Sequence, residues 1–169
     1  VTGGDLNAYE GTVLLGVFSA YAYFDLIDGS FSPKQLEIRH INNSRAKWAK
    51  AHEELFTQKG GVFALGSGGM RSSWPNWEKP HANLQGGVLR ARESFSNKYG
   101  YMNLQFGASP ADPGEYAIDL NGNTVAWNAP LLGASDVTIQ GDGAFTSSAA
   151  LQSIPLGRWT VAATAQQTD

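Results

Sequence analysis

The sequence predicts a single α+β domain spanning residues 1–169, in which two N-terminal helices pack on an antiparallel β-sheet formed mainly by the C-terminal half. Three observations lead to this prediction. Residues 12–27 are almost uniformly apolar, residues 45–58 carry apolar side chains at helical spacing, and apolar and polar residues alternate from residue 101 onward. An all-β sandwich with one helix is the alternative.

The apolar run at residues 12–27 contains Asp25 as its only charged residue. As one strand it would span about 53 Å, whereas a common strand spans about 17–20 Å and a helix of this length about 24 Å. Asn7 suits a helix N-cap and Gly29 a helix end, so we predict a helix over about residues 8–28. A pair of strands is the alternative.

A membrane span is not predicted for this run. Its uncharged core, residues 11–24, is shorter than the about 20 residues that a bilayer requires. The leading residues VTGGD carry no positive charge and do not resemble a secretory signal. A helix that is apolar on most sides is expected to be buried in the domain core or between subunits.

Composition bounds the chemistry of the chain. It has no cysteine, which excludes disulfides, thiolate catalysis and cysteine-ligated zinc. Charged residues make up only 16% of the 169 residues, and glycine is abundant with 20. This balance is common in secreted and particle-forming β-rich proteins and favours an extracellular or particle-associated location.

The charges are segregated along the sequence. Residues 1–33 hold four acids and no lysine or arginine, residues 34–98 hold eleven basic and five acidic residues, and residues 99–169 hold Arg158 against six acids. Two interpretations remain open. The segments form complementary docking faces or an anionic-partner site, or folding interleaves them and cancels their fields.

The middle of the chain is predicted to alternate strands and helices. Residues 35–41 are predicted to form a half-buried strand with Leu36, Ile38 and His40 on its buried face, and residues 45–58 a helix.

A short apolar strand is predicted at residues 61–65. The long irregular stretch 66–87 comes next, and a short helical piece is predicted over residues 88–95.

Residues 115–127 are predicted to form a β-hairpin. Asn121-Gly122 suits a type I′ turn, whose two central residues need positive φ. The predicted cross-strand pairs are Ile118 with Val125 and Tyr116 with Trp127 on one face, and Ala117 with Ala126 and Asp119 with Thr124 on the other.

The remaining C-terminal elements are also predicted as strands. They cover residues 101–106, a second hairpin around Asp142-Gly143, and a last strand over residues 159–163. No internal repeat is predicted.

No catalytic residue, metal site or cofactor is predicted. The three histidines are scattered, and His52-Glu53 lacks the second histidine of a zinc-protease helix because position 56 is Phe. The segment 119–123 resembles the start of a calcium loop, but its glycine spacing is wrong and turn chemistry explains it better.

The best binding candidates are Trp74, Trp77, Arg71 and His81, which lie in the long irregular stretch. Exposed tryptophans stack on sugar rings or bases, and Arg71 would hold an anionic group. The alternative is that the tryptophans cap the core. The neighbouring Gly66 to Gly69 offers a weak anion-binding nest.

The leading functional prediction is a non-enzymatic structural subunit of an extracellular or virion-like assembly, with self-association or other subunits as its partners. It rests on the apolar N-terminal run, the segregated charge and the missing catalytic constellation. Two alternatives remain: a secreted carbohydrate-binding module with a glycan partner, and a hydrolase whose site cannot be identified from the sequence.

Overall fold

The computed structural model describes residues 2–15, 21–38, 53–72, 82–96, 104–106, 114–127, 131–133, 136–147, 159–161 and 165–168. These residues are almost entirely extended. The strands in chain order are β1 (Thr2–Leu15), β2 (Tyr21–Leu26), β3 (Asp28–Ile38), β4 (Glu53–Gln58), β5 (Val62–Leu65), β6 (Gly69–Ser72), β7 (Ala82–Leu84), β8 (Gly87–Ala91), β9 (Phe95–Ser96), β10 (Leu104–Phe106), β11 (Glu115–Asp119), β12 (Asn123–Trp127), β13 (Leu131–Gly133), β14 (Asp136–Gln140), β15 (Gly143–Ser147), β16 (Trp159–Val161) and β17 (Ala165–Thr168).

The described strands form three sheets, and every pairing within them is parallel. Sheet 1 has the order β1-β3-β5-β8-β11-β14-β16, with β6 also paired to β3; sheet 2 has the order β13-β10-β7-β4-β2; and sheet 3 has the order β17-β15-β12-β9. From β8 to β15 the chain passes repeatedly from sheet 1 to sheet 3, then to sheet 2 and back. The chain therefore winds as a parallel β-helix, a solenoid of stacked coils.

The predicted α+β fold is wrong, and so is the alternative sandwich with one helix. The described part of the chain contains no helix. The predicted helix over residues 8–28 is β1, β2 and the start of β3, and residues 53–58 of the second predicted helix are β4. The predicted helical piece over residues 88–95 is occupied by β8 and a turn into β9.

The antiparallel pairing is wrong as well, although strands do form where the alternation predicts them. β11 pairs with β8 and β14, and β12 pairs with β9 and β15, so the two arms of the predicted hairpin lie in different sheets. Asn121 and Gly122 do have positive φ, 49° and 79°. This turn bends the chain around a corner of the coil and does not fold it back on itself.

The core is built from columns of inward-facing side chains, one per coil. The longest column runs along sheet 1 and contains Leu6, Phe31, Phe63, Leu89, Ile118, Ile139 and Val161, each directly paired with the next. The segments that connect successive strands of this column differ in length, so the coils contain different numbers of residues. Burial of these columns supplies most of the hydrophobic stabilisation.

Aromatic rings stack within the first coils. The rings of Phe31 and Phe63 lie 5.5 Å apart and nearly parallel, with an angle of 7° between their planes. Phe56 of sheet 2 lies 4.6 Å from the Phe63 ring, and Phe24 lies 5.7 Å from Phe56. Pairs at these separations stabilise by about 0.5–1.5 kcal/mol each beyond the area they bury.

A column of glycines forms the corner where the chain enters sheet 1. Gly4, Gly29, Gly61 and Gly87 all have positive φ. A Cβ on Gly29, Gly61 or Gly87 would lie closer than 3.0 Å to the carbonyl oxygen of the glycine one coil earlier in the column. Only glycine meets both demands, because it tolerates positive φ and leaves room for the neighbouring backbone. We call these four residues the glycine column.

Candidate functional site

The sequence-predicted binding residues are divided by the structure. Trp74, Trp77 and His81 lie outside the described residues, and so do His40 and His52. Arg71 lies in β6, directly beside Glu37 of β3 in the parallel register. The glycan-binding role of the tryptophans stays a prediction.

Arg71 forms an ion pair. Its Nη2 donates to Glu37 Oε2 at 2.5 Å, and the Glu37 side chain is only 3% exposed. A buried carboxylate requires a partner of opposite charge, because desolvation of an uncompensated charge is costly. Arg71 therefore serves the packing of β3 against β6. Its availability to a ligand stays a prediction.

Three amides of the weak anion nest at residues 66–69 are engaged by backbone carbonyls. The Gly66 amide donates to Pro33 O and the Gly68 amide to Lys34 O, both at 3.1 Å, and the Gly69 amide donates to Gly66 O at 3.0 Å. Because all three amides already donate to backbone carbonyls, they do not converge on an anion.

The segment 119–123 is a corner as well. The Asn121 amide donates to Asp119 Oδ1 at 3.1 Å, and the side-chain amides of Asn121 and Asn123 donate to Ala91 O at 3.2 and 3.0 Å. The asparagines therefore attach this corner to the preceding coil. Among the described residues no group of three or more histidine, aspartate or glutamate side chains is placed to hold a metal ion.

Coil stacking brings the segregated charges together. The acidic N-terminal segment pairs with the basic segment through Glu10–Lys34, at 3.8 Å, and Asp25–Lys59, at 3.2 Å. The basic segment also pairs with the acidic C-terminal segment, because Arg90 donates to Asp119 at 2.8 Å. Of the two interpretations of the charge layout, these contacts favour interleaving over separate charged docking faces.

A polar link lies inside the coils. The Tyr116 hydroxyl donates to Gln58 Oε1 at 2.5 Å, and Gln58 Nε2 donates to Gly61 O and Val88 O at 3.1 and 3.2 Å. Burial raises the pKa of the Tyr116 phenol well above its usual value. Both side chains are buried, so this link stabilises the interior and offers no open site.

The most exposed apolar surface is the N-terminal end of the solenoid. The large apolar side chains that are exposed in the described residues are Leu6, Tyr9, Leu14, Tyr23 and Ile27. All five lie on β1, on β2 or at the corner that follows β2. We call these five residues the apolar end. Among the described residues β1 and β2 are also edge strands, at the ends of sheets 1 and 2 respectively.

Stacking explains why these side chains are exposed. An inward side chain in the middle of sheet 1 is covered by the equivalent side chains of the coils on both sides. Leu6 heads the long column and is 43% exposed, whereas Phe31, one coil further, is fully buried. Leu6 is therefore at a core position that no described coil covers, whereas Leu14 and Tyr23 alternate with core-packed neighbours and face outward. Solenoids need a capping layer at such positions.

β1 is attached to the body of the solenoid at several points. Asp5 accepts a hydrogen bond from the Ser30 hydroxyl at 2.5 Å. Arg92 follows β8, donates to Tyr9 O at 3.3 Å and Pro33 O at 3.4 Å, and lies 4.4 Å from the centre of the Tyr9 ring. Its guanidinium passes so close to Gly66 that a Cβ there would lie 2.9 Å from it. These contacts hold β1 on the coils of β3 and β8.

The sequence contained part of the signal for this surface. The run at residues 12–27 was expected to be buried in the core or between subunits. The structure divides it: Leu26 is fully buried, Val13, Leu15 and Phe24 pack on the core in part, and Leu14, Tyr23 and Ile27 are exposed. The exposed edge was missed because a helix has no free backbone edge.

Comparisons with known proteins add no family. No protein-family model, no curated protein and no solved structure matches the chain. Within the described ranges the structure has no helix of the length and apolarity that crossing a membrane would take.

Proposed function

We propose that this chain is a non-enzymatic structural subunit of an extracellular or virion-like assembly, and that the apolar end is the surface through which it assembles. One observation carries the proposal: every large apolar side chain that is exposed in the described residues lies at one end of the solenoid.

Three physical arguments support this role. Leu6 stands at the head of a core column and is 43% exposed, so the described coils leave core surface uncovered. A contiguous exposed apolar patch on a folded protein typically marks an interaction surface. An edge strand also presents backbone groups that pair readily with another chain. The apolar end gathers five exposed apolar side chains on β1, β2 and the corner after β2, and among the described residues β1 and β2 are edge strands.

Sedimentation of the purified chain at micromolar concentration tests the proposal. We expect the wild type to sediment as a species heavier than one chain, and we expect Leu6→Asp or Tyr23→Asp to release monomers. Thr124→Asp adds the same charge at an exposed site of β12, away from the apolar end, and should leave the assembly intact. Wild-type protein that stays monomeric at every concentration tested would refute the proposal.

A further inference from the structure

We propose that Asn121-Gly122 is a gated modification site, at which the stacked coils block spontaneous deamidation of Asn121 and opening of the corner permits it. This is the only Asn-Gly pair in the sequence. In an unfolded chain such a pair is reactive, because glycine has no side chain that would hinder attack by its backbone nitrogen. The proposal does not depend on the proposed function, since it concerns the corner between β11 and β12.

The reaction joins two neighbouring groups of this corner. The Gly122 nitrogen loses its proton and attacks Asn121 Cγ, the bond between Cγ and Nδ2 breaks, and Nδ2 takes up a proton and leaves as ammonia. The product is a cyclic succinimide. Water then adds to either ring carbonyl, and opening of the ring gives aspartate or isoaspartate at position 121. The solvent supplies the water, and no other reactant is required.

The neighbouring coils hold the two reacting groups toward opposite sides. The Asn121 carboxamide donates through Nδ2 to Ala91 O of the preceding coil at 3.2 Å. The Gly122 amide donates to Asp142 O of the following coil at 2.6 Å. Attack requires the Gly122 nitrogen to give up its proton and to face Asn121 Cγ at close range, so both hydrogen bonds must break first.

Exclusion of water does not explain the block. Asn121 and Gly122 are both exposed, and a Cβ on Gly122 would meet nothing within 4 Å. Solvent therefore reaches the corner, and its protection depends on the two hydrogen bonds to the neighbouring coils. One typical hydrogen bond lowers the population of the open corner about fivefold, so the two together lower it at least about tenfold.

Modification of the open corner prevents the corner from closing as before. Both products lose the carboxamide that donates to Ala91 O and carry a negative charge in its place. A carboxylate is repelled by the carbonyl oxygen that the carboxamide used to contact, and isoaspartate also adds a carbon atom to the main chain. The modified residue therefore records that the corner has been open.

Peptide mapping of the intact chain by mass spectrometry tests the proposal. The wild type is kept at mildly alkaline pH in native buffer and in urea, and the aspartate and isoaspartate formed at position 121 are measured after digestion. We expect the rate in urea to exceed the native rate at least about tenfold. Gly122→Ala should slow the reaction in urea, because its methyl group hinders the attacking nitrogen. Equal rates in buffer and urea would overturn the gating, and an unchanged rate in Gly122→Ala would overturn the succinimide route.

Two glycine variants separate local opening from global unfolding. A Cβ on Gly141 would lie 2.7 Å from Asp119 Oδ1 and 3.0 Å from the Asn121 nitrogen, so Gly141→Ala pushes the following coil away from this corner. Gly61→Ala strains a different corner and is the matched control.

In native buffer, with both variants folded by circular dichroism, Gly141→Ala should deamidate about fivefold faster than Gly61→Ala, as expected for one lost hydrogen bond. Equal rates in the two folded variants would overturn the role of the neighbouring coils. If Gly141→Ala does not fold, the comparison of the wild type in buffer and urea decides.

Discussion

Replacing Gly61 by alanine tests the glycine column. Gly61 has φ 67°, and a Cβ there would lie closer than 3.0 Å to the Gly29 carbonyl oxygen and 3.0 Å from the Asp28 carbonyl carbon. Both obstacles are backbone atoms of the neighbouring coil, so they cannot rotate away as a flexible side chain would. Alanine at this site must therefore push two stacked coils apart or abandon its backbone conformation.

Gly122 provides the matched control. It has φ 79°, but a Cβ there would meet nothing within 4 Å. Gly122→Ala should lower the free energy of unfolding by only about 1 kcal/mol, since positive φ costs alanine about 1–2 kcal/mol and reduced freedom of the unfolded chain offsets part of that. Gly61→Ala adds overpacking of about 1–3 kcal/mol and should cost about 2–4 kcal/mol in total.

Urea unfolding followed by circular dichroism measures the difference. If both variants unfold with the same dependence on urea concentration, Gly61→Ala should be less stable than Gly122→Ala by about 1–3 kcal/mol, or about 2–12 °C in melting temperature for a chain of this size. If both variants lose the same free energy within about 0.5 kcal/mol, the close approach of coils at the glycine column is not a determinant of stability.

Two further predictions concern buried and bridging side chains. Burial raises the pKa of Tyr116 in the folded state, so the unfolded chain loses this phenol proton at lower pH than the folded chain does. The free energy of unfolding therefore keeps its whole Tyr116 contribution below about pH 10 and decreases as the pH rises above it. Tyr116→Phe should remove this decrease, and it should lower the free energy of unfolding at neutral pH by about 1–3 kcal/mol because Gln58 loses its buried hydrogen-bond donor. Tyr23→Phe, at an exposed site, should keep the decrease. Equal pH profiles for the two variants would contradict the burial argument. Arg92→Ala should speed hydrogen exchange of the β1 amides because Arg92 attaches β1 to the coil of β8. Arg90→Ala should leave this exchange unchanged because Arg90 pairs with Asp119. Unchanged β1 exchange in Arg92→Ala would contradict the attaching role.

The alternation in the sequence predicted faces correctly but could not predict partners. Tyr116, Ile118, Val125 and Trp127 were assigned to one face, and all four are buried. Leu36 and Ile38 were likewise assigned to a buried face of a strand and are buried. A period of two records which side of a strand meets the core, but it carries no information on whether the neighbour is antiparallel and near in sequence or parallel and one coil away.

The turn at Asn121-Gly122 led to the wrong prediction of a hairpin for a related reason. Positive φ at both residues is required by a two-residue hairpin, and the same conformation serves this solenoid corner. The turn dihedrals were predicted correctly, and the chain direction after the turn was not. Long-range pairing decides that direction, because β11 and β12 each pair with one strand of the preceding coil and one strand of the following coil.

The N-terminal helix was predicted from a length argument that assumed one straight strand. β1 ends at Leu15 and β2 begins at Tyr21, so the apolar run is shared between two sheets. Its lack of alternation reflects a coil end, where core-facing and outward-facing positions are both apolar. Nothing in the local pattern distinguishes such a coil end from a buried helix.

A weak repeat was present and was missed. Gly4, Gly29, Gly61 and Gly87 are each followed, at the second position after the glycine, by an apolar residue of one core column: Leu6, Phe31, Phe63 and Leu89. The spacing between these glycines is unequal, so no fixed period marks the repeat. Glycine before a recurring apolar position is the sequence signal that the stacked corners require.

Engineered disulfides test the parallel coil most directly, because the chain has no cysteine of its own. Ala117 and Thr138 are paired in neighbouring parallel strands, about 4.8 Å apart and within the range that a disulfide spans. Ala117→Cys with Thr138→Cys should therefore cross-link under mild oxidation. Ala117→Cys with Ala126→Cys, the pair that a hairpin would bring together, should stay reduced, and cross-linking of the second pair without the first would contradict the solenoid.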